Sequence, residues 1–134
     1  MGTWGTGPFD SDTAEDFVDR LEDLPSAQRA ERLRARLEKA VADGDDKLPG
    51  EVLAAAAVVA ANLPAGRGLS WNEDYEGIES WLSRDEAGDL AGLADRALEL
   101  TFAPDGWYWA SWSDAEDSEE ARAVHGRLRE VLQS

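Results

Sequence analysis

Apolar residues recur along this chain at helical spacing, and polar residues gather on the sides they leave free. Ala14, Phe17, Val18 and Leu21 stand at i, i+3, i+4 and i+7, which predicts a helix from about Asp12 to Asp23 with one buried stripe. Asp12 reads as its N-cap and Glu15, three residues on, completes a capping box. Asp12, Glu15, Asp16, Asp19, Glu22 and Asp23 then share the outer face. Pro25 and Ser26 close this helix and open a second, about Ala27–Asp43, stopped by Gly44. Its core face is Ala30, Leu33, Leu37, Ala40 and Val41, and Arg29, Arg32, Arg36 and Lys39 gather on the other side.

From Glu51 to Leu63 the pattern changes. Residues 52–61 carry no polar side chain, and a helix that is apolar all round must be enclosed by others. It is the expected centre of a bundle, opened by Pro49 and closed by Pro64. Ser70 and Glu73 read as a capping box that starts a short helix with Tyr75, Ile78 and Leu82 on one face. Ser83 and Glu86 form another, starting a helix to about Thr101 lined by Ala87, Leu90, Ala94, Ala97 and Leu98. Pro104-Asp105-Gly106 makes a turn, followed by a packed loop or single turn over Trp107–Trp112. Ala121, Val124, Leu128, Val131 and Leu132 mark a last helix from about Asp114 or Ser118 to Leu132. The expected fold is all-α: one domain over 1–134, a bundle of five or six helices around the alanine-rich one, with an ordered N-terminal Gly/Trp loop.

Composition narrows the function. The chain has 134 residues, 43% hydrophobic, with 13 Lys+Arg against 29 Asp+Glu, a formal charge of −16. That charge opposes general nucleic-acid binding, because phosphate would be repelled over most of the surface. The absence of cysteine excludes a disulfide framework, a thiolate nucleophile and cysteine-ligated zinc. No apolar run approaches the roughly 20 residues of a membrane span. Met1–Asp10 has neither the basic nor the apolar region of a secretory signal, so the expected location is cytoplasmic. Met1-Gly2 with Thr6 matches a myristoylation pattern too short to carry weight. Arg outnumbers Lys eleven to two and alanine is abundant, as in proteins of GC-rich bacterial genomes.

Chemistry-bearing motifs are sparse. Asp43-Gly44-Asp45-Asp46 lacks the glycine and terminal Glu offsets of a calcium loop and reads as a solvated turn. Gly5-x-Gly7 follows no strand and precedes no GK[ST], so it is not a phosphate loop. His125, the only histidine, sits at the edge of the last apolar stripe, and partial burial beside Trp107 or Trp112 is expected rather than catalysis. No cofactor is implied. The N-terminal loop is expected to act as a clasp, with Trp4 and Phe9 plugging the core. Its functional alternative is a shallow pocket near Trp4 with Asp10, Asp12 and Asp16 at the rim. Asp12 and Asp16, one helical turn apart, are the carboxylates that a hard cation would meet there.

This N-terminus carries a resemblance. Gly2, Trp4, Gly5, Gly7, Phe9, Asp12, Ala14 and Asp16 stand as in M-G-x-W-G-x-G-x-F-x-x-D-x-A-x-D, the start of a widespread family of small acidic bacterial proteins. That family shares a domain of unknown function, so the resemblance implies a bacterial origin and no activity.

The leading expectation is a non-enzymatic module that presents an acidic, aromatic surface to a basic protein partner, in an immunity-type or regulatory role. Trp107, Trp109 and Trp112, ringed by Asp105, Asp114, Glu116, Asp117, Glu119 and Glu120, are its second candidate surface. A DNA mimic is a special case of this reading. The alternative is a divalent-metal hydrolase using the N-terminal carboxylates. Self-association through Arg29, Arg32, Arg36 and Lys39 is a third reading.

Overall fold

Residues Ala54 to Ala61 expose no surface at all, and the rest of the molecule is arranged to make that so. The computed structural model describes residues 7–43, 48–102 and 115–134. Five α-helices form among them: α1 (Asp12–Asp23), α2 (Ser26–Asp43), α3 (Pro49–Ala61), α4 (Arg84–Thr101) and α5 (Ala115–Gln133). Helix α3 touches all four others, and α4 packs against α2, α3 and α5. The fold is an all-α bundle around the alanine-rich helix. Alanine suits the centre because it lets neighbouring backbones approach closely, while each buried methyl still contributes about 0.8 kcal/mol.

Helix ends follow local chemistry, with one shift from expectation. Helix α1 is capped by Ser11, not Asp12: its hydroxyl accepts from Ala14 N–H at 3.1 Å, and its backbone is extended. Asp12 is the first helical residue, where its charge still meets the positive end of the helix. The capping box of α4 forms as expected, Ser83 Oγ accepting from Glu86 N–H at 3.1 Å while Glu86 Oε1 accepts from Ser83 N–H at 2.9 Å.

The predicted helix at Ser70 does not form. The segment between α3 and α4 runs as three short 3-10 turns, Pro64–Gly66, Ser70–Asp74 and Ile78–Ser80. Gly77 adopts a positive φ of 80°, which halts helical propagation between the second and third turns. Buried amides then take over the role of helical hydrogen bonds. Asn62 Nδ2 donates to Val58 O at 2.8 Å and Ile78 O at 3.0 Å, and its Oδ1 accepts from Leu82 N–H at 3.1 Å. Asn72 Nδ2 donates to Gly66 O at 3.0 Å. Gly66 is pressed against α3 so closely that a Cβ would lie 1.8 Å from Ala60 O.

Helix α2 also departs from expectation. Arg36 is not on a solvated basic stripe: it is 8% exposed and its Nε donates to Glu51 Oε1 of α3 at 2.7 Å. Arg29 lies half-buried, donating to Leu21 O and Glu22 O at the end of α1 at 3.2 and 3.0 Å. Of the four predicted bases only Arg32 and Lys39 stand exposed. Two of the arginines thus serve helix packing and helix termination.

Candidate functional site

The chain reverses just before α1. Asp10 N–H donates to Gly7 O at 3.2 Å and Asp10 Oδ2 accepts from Gly7 N–H at 2.9 Å. This turn drives Phe9 inward to 3% exposure, where its ring meets Tyr75 edge-on at 5.3 Å between centroids. Tyr75 in turn meets Trp81 at 6.2 Å, and the Arg29 guanidinium lies 5.0 Å from the Trp81 ring centre. One line of edge-to-face and cation–π contacts therefore fastens the N-terminal turn, the 3-10 segment and α2 together. Phe9 fills the clasp role expected of it.

Beside this line opens a cleft of about 390 Å³ lined by Phe9, Asp10, Glu15, Asp19, Asp74 and Tyr75. Four carboxylates and no base surround two aromatic rings. None of the four makes an ion pair among the described residues. The electrostatic consequence falls on Asp74 and Tyr75. Asp74 is raised above the usual carboxylate range, by partial desolvation first and then by the charges of Asp10 and Glu73. The Tyr75 phenol is pushed well above its ordinary value by burial, by the charges of Asp19 and Glu15 and by a hydrogen bond to Asp19. Among the described residues the cleft is thus a place of uncompensated negative potential, suited to a cationic group rather than to an anion.

The expected site residues divide. Phe9 and Asp10 come together here, but Asp12 and Asp16 are exposed on α1 and do not line the cleft. Their neighbours Glu15 and Asp19 do, because those positions face the Tyr75 segment. Trp4, Trp107, Trp109 and Trp112 lie outside the described residues, as does most of the Asp43–Asp46 turn. Glu15, Asp19, Asp74 and Tyr75 are the members that sequence reasoning missed as a site. Spacing placed Glu15 and Asp19 one helical turn apart on the outer face of α1, but nothing local brings Asp74 and Tyr75 to them. Among the described residues no group of three His, Asp or Glu side chains is set to hold a metal ion.

A larger cleft, about 640 Å³, lies within residues 68–80 themselves. Of its three carboxylates, Glu73, Glu76 and Glu79, the last is engaged in holding the loop: Glu79 Oε2 accepts from Gly68 N–H at 2.7 Å and from Asn72 Nδ2 at 2.8 Å. Those two bonds, with Arg67 nearby, keep Glu79 below the usual carboxylate range. It is a loop clamp.

His125 packs on Phe102 at 5.3 Å between ring centroids. Desolvation lowers its pKa; a backbone bond at Leu98 and the charge of Asp95 oppose the shift, while Arg129 and Arg122 reinforce it. A neutral imidazole between α4 and α5, away from the acidic cleft, is a packing group.

Among the described residues no helix is long and apolar enough to cross a membrane. No curated protein and no solved structure matches the chain. The model of the family described as Domain of unknown function (DUF4259) matches residues 2–124, nearly the whole bundle together with the acidic cleft, and the chain belongs to that family.

Proposed function

We propose that this chain is a non-enzymatic binding module, immunity-type or regulatory, that engages a basic protein partner through the Asp10/Glu15/Asp19/Asp74 cleft and the outer face of α1. The observation that carries this reading is the set of four carboxylates around Tyr75 that make no ion pair among the described residues, with Asp74 held above the usual range by its surroundings. Bringing these groups together costs free energy in the isolated chain, and a Lys or Arg side chain from a partner offsets that cost. The rings of Tyr75 and Phe9 at the cleft supply an apolar and cation–π wall for the alkyl stem or guanidinium. Asp12 and Asp16 extend the same negative field along α1 and steer association more than they fix it.

The test is an NMR titration of the labelled chain with Lys/Arg-rich peptides and with acidic peptides of equal length. Cationic peptides should give saturable shifts centred on Asp10, Glu15, Asp19, Asp74 and Tyr75, weakening as salt is raised. The double change Glu15→Gln/Asp19→Asn should remove the shifts while leaving the fold intact. Shifts scattered over all acidic positions, or unchanged in the double variant, would sink the reading. Pull-down from the native cell at two salt concentrations then identifies the partner, which should be cationic, lost at high salt and lost with the double variant.

A further inference from the structure

The exposed face of α2 carries a seven-residue pattern that the bundle does not use. Gln28, Ala35 and Ala42 run down its middle; Glu31 and Glu38 flank one side, Arg32 and Lys39 the other. All seven are exposed, and none of the four charges makes an ion pair among the described residues. With Arg29 and Arg36 turned to other work, the exposed charges of α2 balance: Arg32, Arg34 and Lys39 against Glu31, Glu38 and Asp43. In a chain of −16, this is a face on which two copies can approach without strong repulsion.

We infer that this face pairs with the same face of a second copy, the two α2 helices running parallel about a two-fold axis along them. The occupant and the direction both follow from charge complementarity. At about 100° per residue, Glu31 and Glu38 fall on one flank of the Ala35 line and Arg32 and Lys39 on the other. A parallel two-fold sets the acidic flank of each copy against the basic flank of the other, so Glu31 meets Arg32 and Glu38 meets Lys39, each contact twice. An antiparallel pairing would lay acid on acid and base on base. The alanines at the centre permit close approach, and charged flanks around a small apolar seam are how parallel helix pairs choose register and direction. A groove of about 450 Å³, lined by Leu24, Gln28, Glu31, Arg32 and Ala35, lies along the first half of the seam. A single helix pair is a small interface, so the dimer is weak and reversible.

Sedimentation equilibrium on the whole chain tests this without any cationic partner, so it stands or falls apart from the binding reading above. The chain should dimerise at concentrations up to about 1 mM, the range of a weak interface. Glu31→Lys/Glu38→Lys makes the seam all basic and Arg32→Glu/Lys39→Glu makes it all acidic. Each variant alone should dimerise at least tenfold more weakly, and an equimolar mixture of the two should recover a heterodimer. Because the chain has no cysteine, direction is read by single introduced thiols. Gln28→Cys, Ala35→Cys and Ala42→Cys should each oxidise to a disulfide dimer, while the exposed control Gly88→Cys should not. A chain that stays monomeric throughout, or variants that associate as well as the wild type, would overturn the proposal. Cross-linking of Gln28→Cys to Ala42→Cys, with neither linking to itself, would overturn the parallel direction.

Discussion

Two consecutive stretches of this chain, Pro49–Ala61 and residues 62–82, hold much of the buried centre by opposite physics. Beyond the Glu51–Arg36 ion pair in its first turn, helix α3 is satisfied by its own backbone hydrogen bonds and needs only apolar neighbours, so it is buried largely through small side chains. The segment after it has little helix to satisfy its backbone. It depends on Asn62, Asn72 and Glu79 to accept and donate at specific distances. The first stretch excludes anything that could bind a ligand. The second, because it is irregular, leaves clefts and sends Asp74 and Tyr75 out to meet α1. The candidate binding cleft has collected where regular structure gives way.

The comparison can be broken most severely inside α3. Ala56→Asp or Ala57→Asp should abolish folding, since an unpaired carboxylate at a fully buried site costs about as much as a domain's net stability of roughly 5–15 kcal/mol. Far-UV circular dichroism should show no cooperative transition, and a folded variant would mean the bundle opens more easily than its packing implies.

At the junction of the two stretches, Gly66→Ala forces a methyl into Ala60 O. A loss of about 3 kcal/mol in urea unfolding is expected, at the upper end for overpacking. Asn62→Ala should cost about 2 kcal/mol, because it strands Leu82 N–H and Ile78 C=O in a buried place. If Asn62→Ala were neutral, the segment would owe its form to packing like α3.

Smaller effects come from protons. His125 has a folded pKa below its unfolded value, so the unfolded chain binds the proton more readily. Its contribution is complete above about pH 6.5 and is lost as pH falls from there through the folded pKa. His125→Phe should flatten that part of the stability profile measured by denaturant titration, and an unchanged slope would place its origin elsewhere. Asp95 acts at lower pH. Partial burial opposes its ionisation, but Arg129 at 2.7 Å and Gln133 hold it below the usual range. Its stabilisation is present above the ordinary aspartate value and fades in more acid solution.

The smallest effect has the opposite sign. Asp74 has a raised folded pKa, so its ionisation opposes folding once pH rises through that value. Asp74→Asn should stabilise the chain at pH 7 by less than about 1 kcal/mol, since the group is largely exposed to solvent. The gain should vanish near pH 3, where the wild-type carboxyl is protonated too. A destabilised variant at pH 7 would show that Asp74 has a favourable partner and would weaken the case for an uncompensated cleft.

Much of the bundle is legible in the sequence. The stripe Ala14, Phe17, Val18, Leu21 is buried as its spacing required, and so are Leu33, Leu37 and Ala40 of α2. The uniform apolarity of residues 52–61 identified the central helix. Periodicity succeeds there because a helix presents a face whose burial depends only on residues three and four apart. The same logic failed at Ser70, whose capping-box pattern matches that of Ser83. The difference lies in Gly77, which turns the backbone left-handed, and in Asn62, which comes from an earlier helix to take the carbonyl of Ile78 and the N–H of Leu82. It also failed at Arg36, which reads as surface until Glu51 arrives from α3 to pair with it.

The candidate site was half visible in the same way. Phe9, Asp10 and the acidic face of α1 announce themselves by composition and spacing. Their assembly with Asp74 and Tyr75 does not, because it joins positions more than fifty residues apart through the Phe9–Tyr75 ring contact and the Tyr75–Asp19 hydrogen bond. What the sequence alone determined is the five described α-helices, the identity of the central one and the excess of acid, all properties of neighbours along the chain. Which carboxylates share a cleft, which arginines are hidden and which face of α2 stays open were decided by tertiary structure. Those outcomes depend on long-range partners whose placement no local pattern encodes.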